Sequence, residues 1–297
     1  MNLTSPSQVK AWCIENGFHP NKVLGQNFLI DGNALRAIVD AGLDGLETKD
    51  ERQDARVSSL PPHVLEIGPG LGVLTEEMLK RGCRVTAIEK DPVLAARLEG
   101  ESKSRAEGEQ WWKNLSVLTG DALDWVGNIN VQQCPPVSTS VHQCSSMFDA
   151  MISNLPYQAG TRILLELVKA RELKSMTVLV QTEVAERLAA KEGSKTRGLA
   201  GVWAQLDYDV RIVRKVAASC FWPRPEIGSS VVRLDRHDRN LSLSGEERRL
   251  FHRLTKQAFE HRRKQLGSIF KDMIQSTARA EELSNEDWIN LVKELAK

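Results

Sequence analysis

The sequence predicts an α/β domain built on a largely parallel sheet, followed by a small domain made only of helices. Three observations carry that expectation. Short apolar runs alternate with helical patterns from about residue 64 to residue 190, as crossover-linked parallel strands require. Three closely spaced glycines join the first of these runs to the helix after it. Beyond Asp235 the strand pattern stops and only helical periodicity follows.

Val64 to Ile67 reads as the first strand, and Leu71, Leu74, Met78 and Leu79 follow at helical spacing. Arg84 to Glu89 reads as the second strand. Asp91-Pro92 then has the form of an N-cap with proline at the first helical position. Leu115 to Thr119 and Phe148 to Ser153 are the third and fourth strands. Gly160-Thr161 opens a helix carrying Ile163, Leu164, Leu167 and Val168. Met176 to Gln181 is the fifth strand, and Val184 to Ala190 belongs to the next helix. Leu206 to Val216 and Ser229 to Leu234 are expected to pair as a closing hairpin around the loop that holds Pro223 and Pro225. Arg236 to Gly245 is a polar linker, and helices are expected around 246–275 and 285–296. Two stretches, Asp44 to Pro62 and Gly127 to Ser146, have the composition of loop insertions.

The chain has 297 residues, of which 41% are hydrophobic and 27% charged, so it can bury a substantial core and is not low-complexity disorder. No apolar run approaches the roughly 20 residues of a membrane span, and residues 1–20 lack a signal-peptide core. Five cysteines without C-x-x-C spacing suit free thiols in the cytoplasm. Cys134, His142 and Cys144 lack a fourth ligand nearby, and no metal is expected. The formal charge is +1, but it is unevenly spread. Residues 1–159 hold 14 basic and 20 acidic side chains (net −6), and residues 160–297 hold 26 and 19 (net +7). The second half is therefore the part suited to a polyanion.

Four strand ends carry the chemistry. Gly68-x-Gly70-x-Gly72 lets a ligand approach the backbone closely, and Glu89, 21 residues after Gly68, is placed to accept both hydroxyls of a ribose. The pattern is neither a dinucleotide G-x-G-x-x-G nor a P-loop. Asp121 follows the third strand, where its carboxylate serves either to accept from the exocyclic amine of an adenine or as a helix N-cap. Asn154-Leu155-Pro156-Tyr157 follows the fourth. The N6 amine of adenine is a poor nucleophile because its lone pair is delocalised into the ring. The Asn154 side-chain oxygen and the Leu155 carbonyl could accept its two hydrogens, with Pro156 stiffening the turn and Tyr157 offering a face for an extruded base. None of the six histidines falls within these motifs, which disfavours a histidine-based hydrolase.

With these segments in order, the chain resembles the ribosomal RNA adenine N6-dimethyltransferases over nearly its whole length. The resemblance rests on Gly25 to Leu29 (GQNFL), Glu66 to Gly72 (EIGPGLG), Ile88 to Asp91 (IEKD), Gly120 to Ala122 (GDA), and Asn154 to Tyr157 (NLPY). It continues through Gln181 to Leu188 (QTEVAERL), Phe221 to Pro225 (FWPRP) and Ser229 to Leu234 (SSVVRL).

It implies a Rossmann-like methyltransferase domain over 1–234, with residues 1–35 contributing to the donor site, and a helical RNA-recognition domain over 235–297. It implies S-adenosylmethionine as methyl donor, held by Gln26, Asn27, Leu29, Gly68, Gly70, Glu89, Lys90, Asp121, Ala122 and Asn154. Catalysis would fall to Asn154, Leu155, Pro156, Tyr157 and Phe221, with Tyr157 and Phe221 sandwiching the target adenine. Lys195, Arg197, Arg262, Arg263 and Lys264 would contact RNA phosphates. The implied partner is small-subunit ribosomal RNA within the immature 30S subunit, met by a cytoplasmic monomer. Two adjacent adenines in a terminal hairpin loop would each receive two methyls. The two insertions and the near-neutral charge depart from the family pattern.

Two other readings stand beside this one. One is the antibiotic-resistance type of methyltransferase acting on large-subunit RNA, from which the helical tail and Leu155 set this chain apart. The other is a ribosome assembly or transcription factor that kept the fold without catalysis, against which intact Glu89, Asn154 and Tyr157 argue.

Overall fold

A computed structural model of the chain describes residues 1–21, 23–46, 60–126, 148–170, 173–240, 243–271 and 273–296. Most of both insertions, including Cys134, His142 and Cys144, lies outside the described residues.

The chain opens with α1 (Pro6–Glu15), the two-residue strand β1 (Phe28–Leu29) and α2 (Gly32–Leu43), whose N-cap Asp31 accepts from the Ala34 N–H. The alternating series then runs β2 (His63–Ile67), α3 (Val73–Lys80), β3 (Arg84–Glu89), α4 (Pro92–Arg105), β4 (Leu115–Thr119), α5 (Ala122–Val126), β5 (Ala150–Asn154), α6 (Gly160–Ala170) and β6 (Ser175–Gln181). After α7 (Thr182–Leu188) and α8 (Leu199–Asp207) come β7 (Tyr208–Val216), β8 (Phe221–Trp222) and β9 (Ser229–Arg236). The expected strands are present within two residues. The N-cap at Asp91 is also present, its carboxylate accepting from the Val93 N–H.

The main sheet has the order β4-β3-β2-β5-β6-β9-β7, parallel from β4 to β6 and antiparallel where β9 joins β6 and β7. The direction of winding reverses between β2 and β5, which opens a crevice at their carboxyl ends. Two apolar layers cover the sheet. One is built on α5, α6 and α7 with Leu164, Leu167 and Leu188. The other is built on α2 and α3 with Ile38, Val39, Leu74 and Met78. The closing hairpin is present, but its first strand starts at Tyr208. Leu206 instead lies in the last turn of α8 and packs with Val202 and Trp203 against the C-terminal helices.

Those helices are α9 (Gly245–Glu260), α10 (Leu266–Ile269) and α11 (Asn285–Leu295), with capping boxes at Ser244/Glu247 and Ser284/Asp287. The single helical stretch expected over 246–275 is broken after Glu260. The apolar stripe of Phe251, Leu254 and Ala258 finds no successor in Arg262-Arg263-Lys264, and Leu266 and Phe270 turn back into the same core. Asp207 binds Arg248 at 2.7 Å and Trp203 donates to Thr255 at 2.9 Å, tying α8 to α9. Among the described residues no helix is long and apolar enough to cross a membrane.

Candidate active site

The crevice at the switch point is a cavity of about 370 Å³, within the range of small-ligand sites. Its floor is the glycine turn after β2. Gly70 has φ +58°, and a Cβ there would lie 3.1 Å from the Phe28 ring, so both its backbone and its surroundings require glycine. Its N–H donates to Glu89 Oε2 at 2.9 Å, while the Asp91 N–H donates to Oε1 at 2.9 Å. The Glu89 carboxylate is thus fixed at the end of β3. Burial still outweighs these two donors and raises its pKa above the ordinary carboxylate value.

Asp121, after β4, takes the N-cap role considered for it and also lines the cavity. Oδ1 accepts from the Leu123 N–H at 2.9 Å, and Oδ2 pairs with Lys90 Nζ at 2.7 Å, so its pKa is held low by Lys90 first and by the Leu123 N–H second. Gln26 lines the cavity, yet both ends of its amide are committed. Oε1 accepts from the Asn21 N–H, and Nε2 donates to Asp91.

The Asn154 turn forms the opposite wall. Gly25, at φ +66°, lies against it, and a Cβ there would stand 3.0 Å from the Tyr157 nitrogen. Asn154 Nδ2 donates to the Asn27 carbonyl at 3.1 Å, which fixes the orientation of the amide. Its Oδ1 is buried and has no hydrogen-bond partner. The Tyr157 hydroxyl lies 2.7 Å from Ser229 Oγ, holding a half-buried ring on the rim; burial raises its pKa. Leu29, Gly68, Ala122, Leu155 and Pro156 complete this part of the lining. A carboxylate hydrogen-bonded to the glycine turn at the cavity and an orphaned amide acceptor beside an aromatic ring fit an adenosine-bearing donor and an amine acceptor.

Two expected residues are placed otherwise. Phe221 is 2% exposed and does not line the cavity. β8 pairs antiparallel with β1, Leu29 opposite Phe221, and the phenyl ring packs into the core with Val216, Leu179 and Val231. Arg197 is 1% exposed, and its guanidinium donates to the Ala190 carbonyl, Gln205 Oε1 and Asn285 Oδ1, so it joins the catalytic domain to α11 and is out of reach of a phosphate. Lys195, Arg263 and Lys264 are exposed. Arg262 is half-buried, pairs with Glu281 at 3.5 Å and donates to the Lys195 carbonyl, which brings both basic segments onto one surface. Among the described residues no cluster could hold a metal ion. Glu66 and Thr75 escaped the sequence reading. The signal was a carboxylate inside the apolar run Val64-Leu65-Glu66-Ile67.

A sheet of this order, with its cavity at the switch point and an Asn-Leu-Pro-Tyr turn on the rim, defines a methyltransferase of the Rossmann-like class. Comparison with known proteins narrows the class. A family model described as ribosomal RNA adenine dimethylase matches residues 17–297, and the chain belongs to this family of S-adenosylmethionine-dependent enzymes. It is 42% identical over 238 residues to the ribosomal RNA small subunit methyltransferase A of Deinococcus radiodurans, covering 78% of this chain and 67% of that one. It is 33% identical to the protein of the same name in Mycobacterium avium, covering 100% and 89%. Its fold is similar to that of a dimethyladenosine transferase from Plasmodium falciparum, with TM-score 0.65, 22% identity and coverage of 90% and 97%.

Proposed function

We propose that this chain converts two adjacent adenines in the 3′-terminal hairpin loop of 16S ribosomal RNA to N6,N6-dimethyladenosine, acting as a cytoplasmic monomer on the immature 30S subunit. The observation that carries this reading is the buried, unpartnered Oδ1 of Asn154 on the cavity wall. An orphaned acceptor there costs free energy until a donor meets it, and an amine N–H entering beside Tyr157 is such a donor.

The bound donor supplies an electrophilic methyl group on its sulfonium sulfur. Glu89 receives the ribose hydroxyls, since each carboxylate oxygen keeps a lone pair beyond its backbone N–H. Asp121 receives the donor's adenine amine at the oxygen it shares with Lys90. Tyr157 stacks on the target base, and Asn154 Oδ1 and the Leu155 carbonyl accept the two N6 hydrogens. Drawing those hydrogens out of the ring plane localises the nitrogen lone pair toward the methyl. The chain's contribution is positioning and polarisation, with no strong general base required. Lys195, Arg263 and Lys264 hold backbone phosphates on the basic second half.

Undermodified small and large ribosomal subunits, incubated separately with protein and labelled donor, test the reading. Label in two adjacent adenines of the small-subunit terminal loop, two methyls on each, is the expected result. Label in large-subunit RNA would refute the substrate assignment. Donor binding without any methylation would refute catalysis.

A further inference from the structure

Among the described residues two cations line the cavity, Lys90 and Arg162. Lys90 is spent on Asp121, at 2.7 Å. Arg162 is exposed, which puts it at the mouth, and it makes no hydrogen bond or ion pair with any described residue. Its charge reaches Asp121 only as the least of the influences on that carboxylate, which is held low first by the Lys90 hydrogen bond.

The fold itself gives no reason for a cation here. Arg162 lies in the first turn of α6, where positive charge opposes the helix dipole, and no acidic side chain in that turn offsets it. Ile163 and Leu164, the next two residues, are the ones that pack into the core. What α6 does supply is placement. The helix follows directly on the Asn154 turn, and the Gly160 N–H donates to the Pro156 carbonyl at 2.7 Å. Tyr157 and Arg162 therefore stand on one continuous, hydrogen-bonded piece of chain. The field around them is acidic. Glu89 and Asp121 line the same cavity, and residues 1–159 carry a net charge of −6. A nucleotide that delivers its base to Tyr157 brings its phosphates to this mouth against that field. The side chains assigned above to the RNA backbone, Lys195, Arg263 and Lys264, do not line the cavity.

We propose that Arg162 grips a backbone phosphate beside the target adenine and so holds the extruded nucleotide against the Tyr157 ring. This inference rests on the reading of the chain as an RNA adenine methyltransferase. The methyl donor's own carboxylate is the competing anion. Arg162, however, acts on Asp121, the residue that receives the donor's adenine, at the opposite end of that ligand from its carboxylate.

The test is steady-state methylation of undermodified small subunits by wild type, Arg162→Gln and Arg162→Lys over a range of salt, with calorimetric donor affinity on the same proteins. Arg162→Gln should raise the KM for the subunit about tenfold, as for loss of one charge-assisted hydrogen bond, and lower the salt dependence by about one counterion. The loss should fall on KM far more than on kcat, with unchanged affinity for S-adenosylmethionine and an unchanged melt. Arg162→Lys keeps the charge and should recover the salt dependence and most of the KM. Wild-type KM and salt dependence in Arg162→Gln would overturn the proposal. So would a loss of donor affinity at an unchanged subunit KM, which would give Arg162 to the donor carboxylate. A wild-type chain that neither binds nor methylates small subunits would refute the functional reading itself, and the proposal with it.

Discussion

Replacing Asn154 with alanine separates catalysis from stability, because its two amide atoms have opposite standing in the ligand-free protein. Nδ2 makes a 3.1 Å hydrogen bond to the Asn27 carbonyl, a contact worth about 1 kcal/mol net. Oδ1 is buried without a partner, and such a group costs about 1–3 kcal/mol. Alanine removes both, so the changes oppose each other and the folded protein should lose or gain only about 1 kcal/mol. For a chain of this size that is a Tm shift of about 2–4 °C. The reaction has no such compensation. On the proposed mechanism the acceptor that polarises N6 acts chiefly as the methyl moves, and losing one contact of this kind costs about 10²–10³-fold, or about 2.7–4 kcal/mol. Single-turnover methylation of small subunits at saturating donor reads that step directly, and a thermal melt on the same preparation reads the other. A wild-type rate would refute the polarising role. A fall in Tm above about 10 °C would show that Asn154 acts mainly as a structural tie.

Four further residues carry distinct expected outcomes. Tyr157→Phe gives up the 2.7 Å contact with Ser229 but keeps the stacking face, whereas Tyr157→Ala loses about 1–3 kcal/mol of base stacking; the phenylalanine variant should methylate far faster, and equal impairment would remove Tyr157 from the base site. Arg197→Ala should destabilise the fold by about 3 kcal/mol, because the buried guanidinium's hydrogen bonds to Ala190, Gln205 and Asn285 are lost and only Ala190 keeps another donor, Gln205 Nε2. Lys264→Ala should leave the melt unchanged and lower the salt dependence of RNA binding by about one counterion, so a reversal of these two readouts would place Arg197 at the RNA. Glu66 makes ligand-free stability pH-dependent. Its folded value of about 8 lies above the ordinary 4.5, so the unfolded chain sheds the proton first and stability falls as pH rises between the two. Urea unfolding at pH 5 and pH 8 should show wild type losing on the order of 4 kcal/mol relative to Glu66→Gln, and parallel curves would exclude the shift.

The strand ends were readable because parallel strands joined by crossovers bring their carboxyl ends side by side. Gly68, Glu89, Asp121 and Asn154 each close one of β2, β3, β4 and β5 in turn, and the winding rule places those four ends around one crevice. What depends on contacts between distant segments was not readable. Arg197 follows Lys195-Thr196 and has the local look of a solvated cluster, and contacts remote in the chain from Lys195, with Gln205 on α8 and Asn285 on α11, bury it. Leu199 to Leu206 is apolar apart from Gln205 because α8 lies between the main sheet and the C-terminal helices, so it shows no clear amphipathic stripe. Phe221 depends on the pairing of β8 with β1, nearly 200 residues away in sequence. The site itself shows why its chemistry was only partly visible. Residue type cannot reveal whether a polar side chain is already spent. Gln26 is spent on Asn21 and Asp91, and the Asn154 amide nitrogen is spent on Asn27. The Asn154 oxygen is instead buried at the cavity without a donor, and the Glu66 carboxyl is buried there with the Thr75 hydroxyl as its partner. The unpartnered Asn154 oxygen is the acceptor that the proposed reaction needs for the amine it methylates, so on that reading the folded chain meets its substrate with one acceptor still open.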